Sequence, residues 1–133
     1  MSEFNLRLSE LQKQIHEIIM EFGGYWDPLV MLAAVVEEVG ELSREITHFT
    51  GIKPKKTSEF HKSGIFQNSL VSHDSLDYHQ SITALSEELG DTMFSLICIA
   101  NYYKIDLEKI MPQILLKYKN RDKNRFSSHE KIQ

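Results

Sequence analysis

Apolar residues recur along most of this chain at steps of three and four, the spacing that gathers them on one face of an α-helix. Phe4, Leu8, Leu11, Ile15, Ile18, Ile19 and Phe22 mark a first helix, ended by Gly23 and Gly24. Pro28, whose fixed φ suits a first helical turn, opens a second that runs to about Phe49 on Leu32, Val35, Val39, Leu42 and Ile46. The spacing predicts a third from about Ser81 to Tyr103 on Ile82, Leu85, Leu89, Leu96, Ile99 and Tyr103. Asp106 is placed as the N-cap of a fourth, which carries Ile110, Ile114 and Leu115 to about Lys123. Pro112 lies inside that segment and is expected to kink it or move its start. No convincing strand pattern is present. The expected fold is therefore all-α, a four-helix bundle.

Between the second and third helices, residues 50 to 80 are rich in Ser, Lys, His and Asn, and read as a long loop or insertion. A connection of that length is functional, partly helical or disordered. Its His61, His73 and His79 lack metal-ligand spacing, so the segment is a solvated loop or, alternatively, a lid or subunit contact. The 133 residues are expected to form one domain, with about 126 to 133 as a flexible tail.

Composition narrows the classes. A hydrophobic fraction of 41% with 26% charged residues is that of a water-soluble globular protein. No apolar run is long enough to span a membrane, and the opening MSEFNLRLSE lacks a signal peptide's basic start and apolar centre. The expectation is a cytoplasmic protein with no membrane partner. The net charge of −4 argues against a general binder of nucleic-acid backbones. The one basic run, KPKK at 53 to 56, reads as solvated loop. Cys98, alone among aliphatic neighbours, reads as a buried structural thiol.

One five-residue phrase occurs twice. Residues 37 to 41 read EEVGE and residues 87 to 91 read EELGD, so that an offset of fifty aligns Glu38 with Glu88 and Glu41 with Asp91. Residues three apart on a helix share a face, which pairs Glu38 with Glu41 and Glu88 with Asp91. Each pair flanks its apolar seam in the same phase, Glu38 before Val39 and Glu88 before Leu89. Antiparallel packing along those seams brings four carboxylates to one rim, where their repulsion calls for divalent cations. A single acidic pair beside a seam is ordinarily solvated helix surface. Two copies in one phase, each with a helix-weakening glycine between the acids, favour a site. Gly40 and Gly90 would let another helix or an anionic substrate approach the backbone.

Ligand hardness indicates the metal. Di-iron carboxylate bundles use Glu-x-x-His pairs, and no histidine follows Glu38, Glu41 or Glu88 at that spacing. All-oxygen ligands suit Mg²⁺, with Mn²⁺ as a substitute, and such ions fill their remaining positions with water and phosphate oxygens. The expected substrate is a polyphosphate. In LLKYKNRDKNRF, Lys117, Arg121 and Arg125 fall at i, i+4 and i+8, a stripe able to clamp phosphates if the last helix reaches that far. The alternative is that these cations only complement a helix C-terminus. Trp26, beside Tyr25, is a candidate base-stacking surface or, alternatively, a core or interface tryptophan.

With these motifs assembled, the chain resembles the MazG-like nucleoside triphosphate pyrophosphohydrolases, in the short single-domain branch of the all-α superfamily. The family pattern of ExxE followed by ExxD stands here as Glu38-Val39-Gly40-Glu41 and Glu88-Leu89-Gly90-Asp91. GYWDPLVMLAAVVEEVGELSREITH, KPKK, EELGDTMFSLICIAN and KYKNRDKNRF are similar to that branch as well. The resemblance implies Mg²⁺-dependent cleavage between the α- and β-phosphates of a nucleoside or deoxynucleoside triphosphate, in nucleotide-pool cleaning. It implies Glu38, Glu41, Glu88 and Asp91 as metal ligands and catalytic residues, and Lys117, Arg121 and Arg125 as phosphate contacts. Glu37 or Glu87 is available to orient the attacking water. Family members associate as homodimers or dimers of dimers, and a four-helix chain of this size is expected to need a second copy to enclose a nucleotide. The 46 residues between Glu41 and Glu88 exceed the branch's usual spacing, which bears on base preference. A catalytically silent helical module that binds nucleotide or metal for a partner is the alternative, distinguished by Glu38→Gln, which only an enzyme would register as lost turnover.

Overall fold

The computed structural model describes residues 7–51 and 76–122. Four helices make up nearly all of them: α1 (Leu8–Glu21), α2 (Pro28–Phe49), α3 (Leu76–Tyr102) and α4 (Leu107–Asp122). No strand occurs among the described residues, as the helical periodicity predicts.

The helix boundaries follow from local chemistry. At the end of α1, Gly23 and Gly24 take φ of 101° and 99°. That left-handed turn lets the Gly24 N–H reach back to the Ile19 carbonyl at 2.9 Å, and glycine adopts it without a Cβ clash. At the start of α2, the Asp27 carboxylate accepts the Leu29 N–H at 2.9 Å, while Pro28 fills the first helical position, where no backbone donor is needed. Asp106 acts at α4 as expected, accepting the Lys109 N–H at 3.2 Å through its side chain.

One boundary differs from expectation. α3 begins at Leu76, five residues before Ser81, so residues 76 to 80 belong to the helix and not to the insertion. Pro112 does not move the start of α4, which runs from Leu107 to Asp122 through it. A proline here removes one bond in the ladder, and the turns on either side carry the helix on. The helical expectation for Phe4, the loop at 52 to 75, Arg125 and the tail fall outside the described residues.

The chain divides into two compact units. The first contains α1, the last residues of α3 and α4. Its centre is polar. Gln12, only 9% exposed, donates from Nε2 to the Asn101 carboxamide oxygen at 2.9 Å and to the Ile105 carbonyl at 2.8 Å, while its Oε1 accepts the Leu107 N–H at 2.9 Å. Asn101 returns the contact by donating to the Gln12 backbone carbonyl at 2.8 Å. These bonds tie α1 to the turn between α3 and α4, in which Lys104 adopts a φ of 56°. Beside them, His16 stacks on Tyr25, whose hydroxyl lies 2.9 Å from its Nδ1, and Tyr102 meets Tyr25 edge-on.

The second unit, Trp26–Ile99, holds α2 and most of α3. Phe49, at the end of α2, packs on Tyr78, near the start of α3, with ring centroids 5.6 Å apart. Farther along, Glu38 meets Glu88 and Asp91. Stepping forward along α2 thus means stepping back along α3, and the two helices run antiparallel.

The buried line is not the expected seam. On α2 it follows Met31, Val35, Glu38, Leu42 and Glu45, and Leu32, Val39 and Ile46 are about half exposed. On α3, Leu85, Glu88 and Thr92 face inward, whereas Leu89 and Leu96 are each 50% exposed and Tyr103, beyond the helix, is 57% exposed. The cause is the breadth of the apolar arc on α2, where Val30, Met31, Leu32, Val35 and Val36 cover adjacent faces. Both stripes fit a step of three and four, and they share Val35 and Leu42. Cys98 is buried, which raises its thiol pKa and suits the inert role expected of it.

Candidate active site

The phase shift on α2 and α3 decides where the acids go. Glu38 and Glu88 do not flank the inner line; they are part of it, each half-buried between the two helices. Asp91, one turn beyond Glu88, joins them. Glu38, Glu88 and Asp91 each offer an oxygen within 4.8 Å of the others.

Partial burial and that proximity both disfavour the charged forms of the two inner acids. The Glu38 carboxyl is held above its ordinary value, first by partial burial and then by the charges of Asp91, Glu41 and Glu37. Glu88 is raised for the same reasons, burial first, then Glu41 and Asp91, with Arg44 working in the opposite direction. Each carboxylate would be better accommodated with a compensating cation.

Glu41, the fourth acid of the repeated phrase, is not in the 4.8 Å group. Its Oε2 lies 3.5 Å from an Arg44 terminal nitrogen. The same guanidinium approaches Glu45 at 3.9 Å, and Glu45 in turn lies 3.6 Å from His48 Nδ1. Glu45 is 7% exposed and has further partners, whereas His48 Nδ1 is buried without a hydrogen bond among the described residues. Arg44, Glu45 and His48 were absent from the sequence expectations. Their signal was available: Glu38, Glu41, Glu45 and His48 succeed one another at steps of three, four and three.

The remaining candidates are placed as follows. Glu37 and Glu87 are exposed, one residue before the inner acids. Trp26 is 66% exposed, so within the single chain it is no core residue. Lys117 and Arg121 are exposed on α4, and the Arg121 guanidinium sits 4.4 Å from the centre of the Tyr118 ring. Among the described residues, a Cβ added to Gly40 or Gly90 would meet no heavy atom within 4 Å, so no described helix requires those glycines to be small.

An all-oxygen group of three acids on antiparallel helices, reached from an ExxE and an ExxD, defines an all-α carboxylate site. Residues 27–126 match the MazG nucleotide pyrophosphohydrolase domain, and the chain belongs to that family. It is 35% identical over 124 residues to YpjD of Bacillus subtilis (strain 168), covering 92% of this chain and 93% of that one. The crystal structure of the Bacillus subtilis YpjD superimposes with a TM-score of 0.63 at 31% identity, over 89% of this chain and 98% of that one. The crystal structure of a Bacillus-conserved MazG protein, a nucleotide pyrophosphohydrolase, follows with a TM-score of 0.60 at 29% identity, over 86% of this chain and 93% of that one. Family membership supports a hydrolase acting on nucleotide pyrophosphate bonds.

The donor set fits a hard divalent cation. Three carboxylates can supply oxygens to one small region, two of them are raised in pKa by burial and then by that crowding, and no sulfur or imidazole is among them. No helix among the described residues is long and apolar enough to cross a membrane.

Proposed function

We propose that this protein hydrolyses nucleoside and deoxynucleoside triphosphates between the α- and β-phosphates, releasing monophosphate and pyrophosphate, and that it does so with Mg²⁺ in the service of nucleotide-pool cleaning. The observation that carries this is the convergence of Glu38, Glu88 and Asp91 within 4.8 Å in a chain of the MazG family. Glu38, Glu41, Glu88 and Asp91 would hold the cation, with Mn²⁺ able to substitute. Bound there, it supplies Lewis-acid polarisation of phosphate oxygens and lowers the pKa of a water.

The chain's own residues do the rest. The carboxylates place their negative charge where an anionic substrate would otherwise be repelled, which makes nucleotide binding depend on the cation. Glu37 or Glu87, exposed beside the inner acids, orients the attacking water and accepts its proton. Water's oxygen forms the new P–O bond, the bond to the bridging oxygen breaks, and pyrophosphate leaves with that electron pair. Lys117, Arg121 and Arg125 contact the phosphates, and Trp26 offers a stacking face for the base.

The working form is a homodimer or a dimer of dimers in the cytoplasm. Leu32, Val36 and Val39 on α2, with Leu89, Met93 and Leu96 on α3, are 48% to 66% exposed in the single chain, an apolar display that a second copy would cover.

The test is release of pyrophosphate and monophosphate from the eight common triphosphates, dUTP and oxidised or methylated deoxynucleotides, with Mg²⁺, Mn²⁺ or chelator. Activity that chelator and Glu38→Gln both abolish supports the assignment. Silence across the panel from folded protein that binds Mg²⁺ would overturn it.

A further inference from the structure

The fourth acid of the site already carries an ion pair, with a residue of its own helix. Arg44 stands three residues after Glu41, so both side chains leave α2 on one face. Its guanidinium lies 3.5 Å from the Glu41 carboxylate, while its Nε faces Glu45 at 3.9 Å. Glu45 is buried, so the guanidinium lies between a buried acid on one side and Glu41 on the other. Glu41 is left outside the cluster that Glu38, Glu88 and Asp91 form.

We propose that Arg44 is an internal rival of the metal: it pairs with Glu41 at the edge of the acid group, and a cation gains Glu41 as a full ligand only by opening that ion pair. The proposal rests on the Mg²⁺ site assigned above and adds the residue that sets its affinity. Arg44 is a positioning residue acting through Glu41. The magnitudes permit the exchange. The Arg44 and Glu41 side chains are 48% and 41% exposed, and a contact of 3.5 Å between such groups is weak, so a divalent ion can displace the guanidinium from Glu41. The released guanidinium keeps its contact with Glu45 and stays beside the site.

The experiment is calorimetric titration of Mg²⁺ alone, without nucleotide, into the full-length chain and the variants R44Q, R44K, E41Q and R44Q/E41Q, each first checked for helical content. R44Q should bind Mg²⁺ about threefold more tightly than the unsubstituted protein, the scale of one half-exposed ion pair. R44K, which keeps the charge, should stay near the unsubstituted value. In the E41Q background the gain from R44Q should disappear, because the acid through which it acts has lost its charge. An equal gain in both backgrounds would show a through-space charge effect and overturn the tether. Unchanged or weaker binding by folded R44Q would overturn it too, weaker binding meaning that Arg44 orients Glu41 for the metal. Absence of Mg²⁺ binding by the unsubstituted protein would sink the metal site itself, and this proposal with it.

Discussion

Gln12 and Glu38 are both polar side chains drawn in among helices, and they meet opposite fates. Gln12 finds a partner for each of its polar atoms in Asn101, Ile105 and Leu107, so its burial is compensated bond by bond. Glu38 is turned toward Glu88 and Asp91, which repel it. The first region is organised to be stable as it stands. The second keeps an unfavourable arrangement that a bound cation would relieve, the pattern expected where chemistry rather than packing selects the residues.

The sharpest break in that contrast is Glu38→Gln. It should lower turnover by more than about a hundredfold, beyond what the loss of a ligand's supporting partner alone does. The same change should raise the melting temperature in chelator, because it removes a charge that the fold resists. Pyrophosphate release and thermal melts on one preparation measure both, and a fall in metal-free stability would contradict the account of the acid cluster.

Gln12→Ala should act the other way, costing about 1 to 3 kcal/mol because it strands a part-buried backbone N–H and carbonyl together. Urea unfolding checks the size. If Mg²⁺ binding per folded molecule is unchanged, the clamp serves stability alone; a loss of binding at constant helicity would show that the two regions are not independent in their tasks.

Acidity sharpens the comparison further. Glu38 and Glu88 have folded pKa values above the usual 4.5, so the folded chain holds their protons more firmly than the unfolded chain does. Their contribution to metal-free stability is fully present below 4.5 and is lost as pH rises through the raised values. Asp106 is the reverse: the side-chain hydrogen bond from Lys109, with a 2.9 Å ion pair, lowers it below 3.8, and its contribution is lost as pH falls. Melts in chelator from pH 4 to 8 should therefore show an acid-cluster loss on the alkaline side that Mg²⁺ progressively offsets. A stabilisation by Mg²⁺ equal at pH 4 and pH 8 would count against titration of these acids as its source.

The smallest expected effect belongs to Gly40→Ala. With open space where the methyl would go, the metal-free chain should gain up to about 1 kcal/mol from better helix propensity. A simultaneous loss of turnover would show that substrate or a second copy uses that space, and unchanged turnover would remove the functional reason for the glycine.

Much of this was legible in the sequence, for reasons that can be named. Asp27-Pro28, Gly23-Gly24 and Asp106 announce helix ends through chemistry confined to a few residues, and the periodicity between them fixes the class. The repeated phrase points to Glu38, Glu88 and Asp91, which the structure brings together, because i, i+3 spacing is a property of any helix; Glu41 stands outside that group. What was not legible is which edge of a broad apolar arc turns inward. Leu32-Val39-Ile46 and Met31-Glu38-Glu45 are equally periodic, and the choice belongs to the partner helix. That choice turned Glu38 from a flanking acid into an inner one. Arg44 escaped notice for a related reason: a cation four residues before a histidine looks like ordinary surface until its rotamer places it on Glu41.

The offset of fifty gives α2 and α3 an approximate dyad, since antiparallel helices bearing one motif are exchanged by a half-turn through the acid group. Under that operation Glu38 exchanges with Glu88 and Glu41 with Asp91, but Arg44 exchanges with Phe94. The symmetry therefore fails at the residue that holds Glu41. A site with two equivalent halves cannot distinguish the two ends of a polyphosphate. One whose halves differ by a guanidinium and a phenyl ring has a built-in sense of direction, and a reaction that severs one particular phosphate bridge requires that sense.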